Sequence, residues 1–274
     1  MITLDLHTHT KYSHGLDSPE DMFSAARAKG ITLYGFSEHS PRPHSYNYTH
    51  EYREHLTKNF PRYVQQVRAL QELYPGQVLL GMEMDWMDTE MDFILASIKA
   101  YDFDYLIGSV HFLKTWGYDD DPGDWENCDK ALYSARYEEY FQTLARMARS
   151  GLFNIAAHPD LIKIFSASVF QRWLAAPYSM DLIRDALLAI KSHGMAMEVS
   201  SAGTRKPCKE FYPGPKIMQL AADLEVPISL GSDAHAVAHA AYNFDSLEAY
   251  VRSFGYTSSL WFCQGQVHSR TFAA

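Results

Sequence analysis

An α/β fold built on a parallel sheet is what this sequence predicts, and three observations carry the prediction. Short apolar runs of extended pattern alternate with helix-patterned segments along the whole chain. Nearly every such run ends in a histidine or a carboxylate, where parallel βα units gather functional groups. At 274 residues, 47% hydrophobic and 21% charged, the chain is long enough for a large core and short enough for one α/β barrel. Residues 1–274 are therefore read as a single domain.

The elements follow in order. Ile2-Thr3-Leu4 opens a strand that delivers Asp5-x-His7-x-His9, and in an extended segment residues two apart point to the same side. Ser18-Pro19-Glu20-Asp21 starts a helix, with Ser18 as N-cap and Pro19 at the first position, and Gly30 ends it. Strand 31–36 delivers Ser37-Glu38-His39. The Tyr/His/Pro-rich stretch 40–51 is too long for a plain connection and reads as a substrate loop. Leu56, Phe60, Tyr63, Val67 and Leu70 give 52–74 helical spacing. Strand 78–82 delivers Glu83, a short helix spans 89–100, and strand 105–110 delivers His111. After an acidic, Trp-bearing loop over 114–129 come helix 132–150 and strand 153–157, which delivers His158-Pro159-Asp160. Helix 181–193 and strand 195–199 follow. Helix 215–224 and strand 227–230 then lead to Gly231-Ser232-Asp233-Ala234-His235, before a last helix over 247–254 and a last apolar run over 256–262.

Composition narrows the function. With 33 acids against 24 bases, for a net charge of −9, a nucleic-acid-binding surface is not expected. Three cysteines without CxxC spacing suggest neither a disulfide framework nor a thiolate metal site, and favour a reducing cytoplasm. Neither an export signal nor a membrane-spanning run is evident. The thirteen histidines, by contrast, are concentrated where they count. His7, His9, His39, Glu83, His111, His158, Asp233 and His235 stand at strand ends, with His14 in the first loop. So many ionisable groups would not be buried together without a cation. Nine ligands also exceed the need of one ion with an open position, so two or three divalent ions are expected. A His/carboxylate set accepts Zn, Mn or Fe according to availability. His44, His50, His55, His193, His239 and His268 fit no strand end.

The ordered motifs DxHxH at Asp5, Tyr12-Ser13-His14-Gly15, Ser37-Glu38-His39, Gly81-x-Glu83, Gly108-Ser109-Val110-His111, His158-Pro159-Asp160 and Gly231-Ser232-Asp233-Ala234-His235 resemble those of the PHP phosphoesterase superfamily over nearly the whole chain. Within it, Ser37–Pro43, Ser109–Leu113 and Ser201–Pro207 followed by Tyr212-Pro213 are similar to the histidinol-phosphate phosphatase branch. The resemblance implies a distorted seven-stranded β/α barrel with a centre of three ions. One ion would be held by His7, His9, Glu83 and Asp233. Glu83 would bridge to a second, held also by His111 and His158, and the third would be held by His14, His39 and His235. Asp17 is the alternative to His14.

The implied activity is hydrolysis of L-histidinol phosphate, a small-molecule partner from histidine biosynthesis. A hydroxide between the ions sharing Glu83 would be the nucleophile, because paired divalent ions stabilise both attacking and departing oxygens. Asp233 or His235 would supply the proton for the leaving group. Arg205, at the family's phosphate-gripping position, Lys163 and Arg42 are the expected cationic contacts to the phosphoryl oxygens. Asp119 or Glu210 would meet the substrate's ammonium. The alternatives are another small phosphate ester or nucleotide as substrate, and a non-catalytic metal-binding module.

Overall fold

A computed structural model describes residues 1–46, 48–126 and 128–272. The chain runs through β1 (Leu4–Asp5), α1 (Pro19–Ala28), β2 (Leu33–Phe36), α2 (His50–Leu73), β3 (Val78–Asp85), α3 (Met91–Ile98) and β4 (Tyr105–Ser109). A small hairpin of β5 (Phe112–Leu113) and β6 (Trp116–Gly117) precedes α4 (Lys130–Arg149), β7 (Ile155–Ala156), α5 (Ala167–Trp173) and α6 (Pro177–Ser192). Then come β8 (Ala196–Ser200), α7 (Pro215–Asp223), β9 (Ile228–Gly231), α8 (Phe244–Ser253) and a closing hairpin of β10 (Ser258–Cys263) and β11 (Gln266–Thr271).

Seven strands form one sheet in the order β1-β2-β3-β4-β7-β8-β9, every neighbouring pair parallel. Its ends meet: the Leu6 N–H donates to the Leu230 carbonyl at 3.0 Å, and Thr8 bridges Ala234 in parallel. The sheet thus curls into a nearly closed seven-stranded barrel, as expected. Inside it the Tyr105 ring lies against Gly35 and Gly81, where any Cβ would collide with it. Its hydroxyl donates to the carbonyls of Leu6 at 2.7 Å and Phe36 at 3.1 Å, so one residue ties three strands together.

Local chemistry sets the helices. Ser18 Oγ accepts the Asp21 N–H at 3.2 Å, with Pro19 opening α1 as anticipated. Thr49 Oγ1 caps α2 by accepting the Tyr52 N–H at 3.2 Å, and the apolar stripe read from the sequence is buried. Three elements differ from expectation. Helix α5 is only seven residues long and shows no periodicity to read, although Phe170 and Trp173 anchor it in the core. The turn after His111 folds into the β5–β6 hairpin. The last apolar run does not join the barrel sheet but pairs antiparallel with β11, whose exposed residues carry no apolar alternation.

Candidate metal centre

Parallel strands end on one face of the barrel, and there the nine expected ligands converge. His7 and His9, two residues apart beyond β1, direct both Nε2 atoms at one oxygen of Glu83, Oε2, at 3.3 and 3.4 Å. Asp233 Oδ1, from the turn after β9, lies 3.4 Å from His9 Nε2 and 3.9 Å from His7 Nε2. The other oxygen of Glu83, Oε1, faces His158 Nε2 at 3.2 Å and His111 Nε2 at 3.6 Å. One carboxylate therefore stands between two sets of imidazoles, and His39 Nδ1 also approaches Oε2, at 2.9 Å. Beside them lies a third group, His39 and His235, whose ring centroids are each 4.2 Å from that of His9 and 5.9 Å from each other. The His14 ring lies 4.2 Å from His235 and 4.8 Å from His39, with its Nδ1 3.1 Å from the Tyr52 hydroxyl. Asp17 is occupied elsewhere, accepting the Val237 N–H at 2.7 Å.

Two of these residues adopt the left-handed backbone region that side chains avoid: Asp233 at φ 49° and His158 at φ 22°. Such conformations persist where the surroundings impose them. Asp5, the first residue of the opening motif, imposes the first. Its carboxylate accepts the Ser232 N–H at 2.9 Å, the Ser232 hydroxyl at 2.6 Å and the Ala241 N–H at 3.2 Å, which holds the Asp233 turn on the end of β1.

A second layer of carboxylates orients the imidazoles. Glu198 Oε1 accepts from His7 Nδ1 at 2.8 Å, while its Oε2 accepts the His158 backbone N–H at 2.7 Å. Gly231 makes room for this pair, since a Cβ there would strike both Glu198 and His7. Asp85, on the same face of β3 as Glu83, accepts from His111 Nδ1 at 2.5 Å. Glu38 Oε1 lies 3.4 Å from His9 Nδ1, and its carboxylate also accepts from Thr10 and Ser13. Carboxylates behind imidazoles fix the tautomer and aim the other nitrogen at a metal. Glu198, Asp85 and Glu38 were not assigned roles from sequence. The available signal was a lone carboxylate inside an otherwise apolar strand, at Glu198, and a second acid two residues beyond Glu83.

The electrostatics suit a bound cation. Burial opposes ionisation of Glu83, yet His7, His39 and His111 hold it well below the usual carboxylate range. Burial also opposes charge on His111, but Asp85, Asp119 and Glu83 push it up to about 10. His39 and His235 go the other way, held down by burial and by the neighbouring His9. Protons cannot sit on all the rings at once. Meanwhile the Nε2 atoms of His7, His9 and His235 and Oε2 of Glu83 are buried without hydrogen-bond partners. Buried polar atoms are rarely left this way, and here they face one another within ligand distance. The residues thus fit bound divalent metal.

The three expected phosphate contacts separate. Arg205 lies beside the cluster: its guanidinium donates to the carbonyls of Ser232 and of Asp233, the latter at 3.1 Å, and Nε has no partner. Lys163 corrects the expectation. It is fully buried, its ammonium donates to Asp160 at 2.8 Å and the Phe211 carbonyl at 2.9 Å, and it forms an ion pair with Glu210 at 3.0 Å, so its charge is directed inward. Arg42 is likewise directed inward, to Asp85 at 3.1 Å, Ser40 Oγ at 2.6 Å and His39 Nδ1 at 3.2 Å, and supports the ligands. Glu210 is taken by Lys163, whereas Asp119 is an electrostatic neighbour of His111, its carboxyl raised by burial.

Comparison with known proteins agrees with this geometry. Residues 5–202 match the family model described as PHP domain. A Deinococcus radiodurans protein named "Probable histidinol-phosphatase" is 31% identical over 92% of this chain and 93% of its own length. The Bacillus subtilis histidinol-phosphatase is 27% identical over 88% of this chain and 97% of its own. In fold, the chain is similar to the Lactococcus lactis histidinol phosphate phosphatase, solved with zinc, L-histidinol and phosphate. The TM-score is 0.76 at 19% identity, covering 97% of this chain and 98% of that one.

Proposed function

This chain belongs to the PHP domain family, and on that premise we propose that it hydrolyses L-histidinol phosphate to L-histidinol and inorganic phosphate, in histidine biosynthesis. The observation that carries the reading is Glu83, with one oxygen toward His7 and His9 and the other toward His111 and His158. We assign His7, His9, Glu83 and Asp233 to one ion, Glu83, His111 and His158 to a second, and His39 and His235 with His14 to a third. The ions are Zn, Mn or Fe. Divalent ions bound there supply Lewis acidity and lower the pKa of water for attack on phosphorus.

The chain's own groups do the rest. Arg205, anchored by two carbonyls, turns its remaining N–H groups to the phosphoryl oxygens. Asp233 or His235 supplies the proton to the departing alkoxide. Their side chains are 14% and 19% exposed, against 1% for Glu83, so they can exchange protons with solvent. Asp119 receives the substrate's ammonium. No helix among the described residues is long and apolar enough to cross a membrane, and we place the activity in the cytoplasm, where free cysteines persist.

The test is phosphate release from L-histidinol phosphate against a panel of small esters and nucleotides, with Zn- or Mn-loaded protein and a chelated control. Strong preference for histidinol phosphate, lost on chelation, is expected. Indiscriminate hydrolysis would leave only the chemistry of the family standing.

A further inference from the structure

Away from the barrel mouth, α4, α5 and the start of α6 enclose a cavity of about 560 Å³. Small-molecule sites typically measure about 300–1,000 Å³. Tyr133, Tyr137, Trp173 and Tyr178 form its walls, with Tyr137 and Trp173 ring centroids 5.3 Å apart and Trp173 meeting Tyr178 edge-on at 6.3 Å. The walls offer flat faces and edges, which receive an aromatic ring in stacked or T-shaped contact.

Lys130 and Arg172 also line the cavity, and neither has a carboxylate partner among the described residues. The contrast within α4 is direct: Arg146 pairs with Asp88 at 2.9 Å and Arg149 with Asp185 at 2.5 Å. In a chain with net charge −9, carboxylates are plentiful, but among the described residues none lines this cavity. Flat aromatic walls and two cations without carboxylate partners together complement a planar anion.

We propose that this cavity is a second binding site, selective for a small aromatic carboxylate. The ring lies among Tyr133, Tyr137 and Trp173, and the carboxylate meets the Arg172 guanidinium, with Lys130 beside it. Arg suits a carboxylate because its fork makes two parallel hydrogen bonds.

Calorimetric titration of the metal-loaded protein with indole-3-propionate and with its uncharged amide tests this. The acid is expected to saturate the protein and to bind about tenfold tighter than the amide, the equivalent of one charge-assisted contact. Arg172→Ala should abolish that preference, and Lys130→Met should reduce it. Both variants should keep the kcat/KM of the parent. Equal binding of acid and amide, absence of saturation in the millimolar range, or a preference that survives Arg172→Ala would overturn the proposal. The last result would send the carboxylate to the metal ions instead.

Discussion

Glu198→Gln separates the role of the outer carboxylates from that of the ligands themselves. Glu198 accepts two hydrogen bonds on two different oxygens, from His7 Nδ1 at 2.8 Å and from the His158 backbone at 2.7 Å. Glutamine has the same shape but one acceptor, so in either orientation its NH2 confronts a donor. If the amide oxygen faces His158, the His7 tautomer with Nδ1–H loses its partner, and the lone pair on Nε2 is no longer held toward Glu83 and Asp233. Outer partners of metal-binding histidines typically contribute about 10–100-fold in metal affinity or activity. The unmade buried bond costs about 1–3 kcal/mol of stability. At roughly 2–4 °C per kcal/mol for a chain of this size class, the melting temperature should fall by several degrees. Zinc affinity from chelator competition, kcat/KM and thermal melting measured together would check this. Metal affinity and kcat/KM both within about twofold of the parent would refute the argument that Glu198 orients His7, since the predicted loss is at least about tenfold.

Other consequences follow from the same geometry. Arg205→Ala should lower kcat/KM about 10–100-fold, the value of a charge-assisted hydrogen bond, with metal content unchanged. Arg205→Lys should recover only part of it, because an ammonium lacks the fork. Lys163→Met should leave the buried Asp160 and the half-buried Glu210 without their cation and destabilise the fold by about 3–5 kcal/mol, visible in thermal melts, with KM little altered. A raised KM at unchanged stability would restore Lys163 as a substrate contact. In chelated protein, His111 has a folded pKa of about 10 against 6.5 for a free imidazole, burial opposing the charge and Asp85, Asp119 and Glu83 imposing it. Its contribution to stability is therefore fully present below pH 6.5 and is lost as pH rises toward 10. The stability gap between the chelated parent and His111→Asn should narrow over that window in denaturant titrations. A gap that widens would reverse the assignment.

The ligands were legible because they are a property of the chain's local order. A parallel βα unit must bring its strand ends to one face, so the residue following each apolar run is placed in the site before any packing is known. His7, His9, His39, Glu83, His111, His158, Asp233 and His235 are all found at that face. The outer carboxylates were less legible, because Glu198 and Asp85 sit within strands and their partners come from other strands.

Cations were legible only as candidates. Arg205, Lys163 and Arg42 look alike in sequence, each a base a few residues past the end of an apolar run. Lys163 turned inward because Glu210 and the Phe211 carbonyl, nearly fifty residues later, arrive against it. Arg42 turned inward because Asp85 extends beyond Glu83 on the long strand β3. The sequence by itself thus determined the sheet, the direction of its strands and the set of histidines and carboxylates gathered at one face, all consequences of periodicity and chain order. The tertiary structure alone decided which cations stay beside that cluster and which neutralise buried acids. A charge's free energy is set by whatever lies within a few ångströms of it, and those neighbours come from distant parts of the chain.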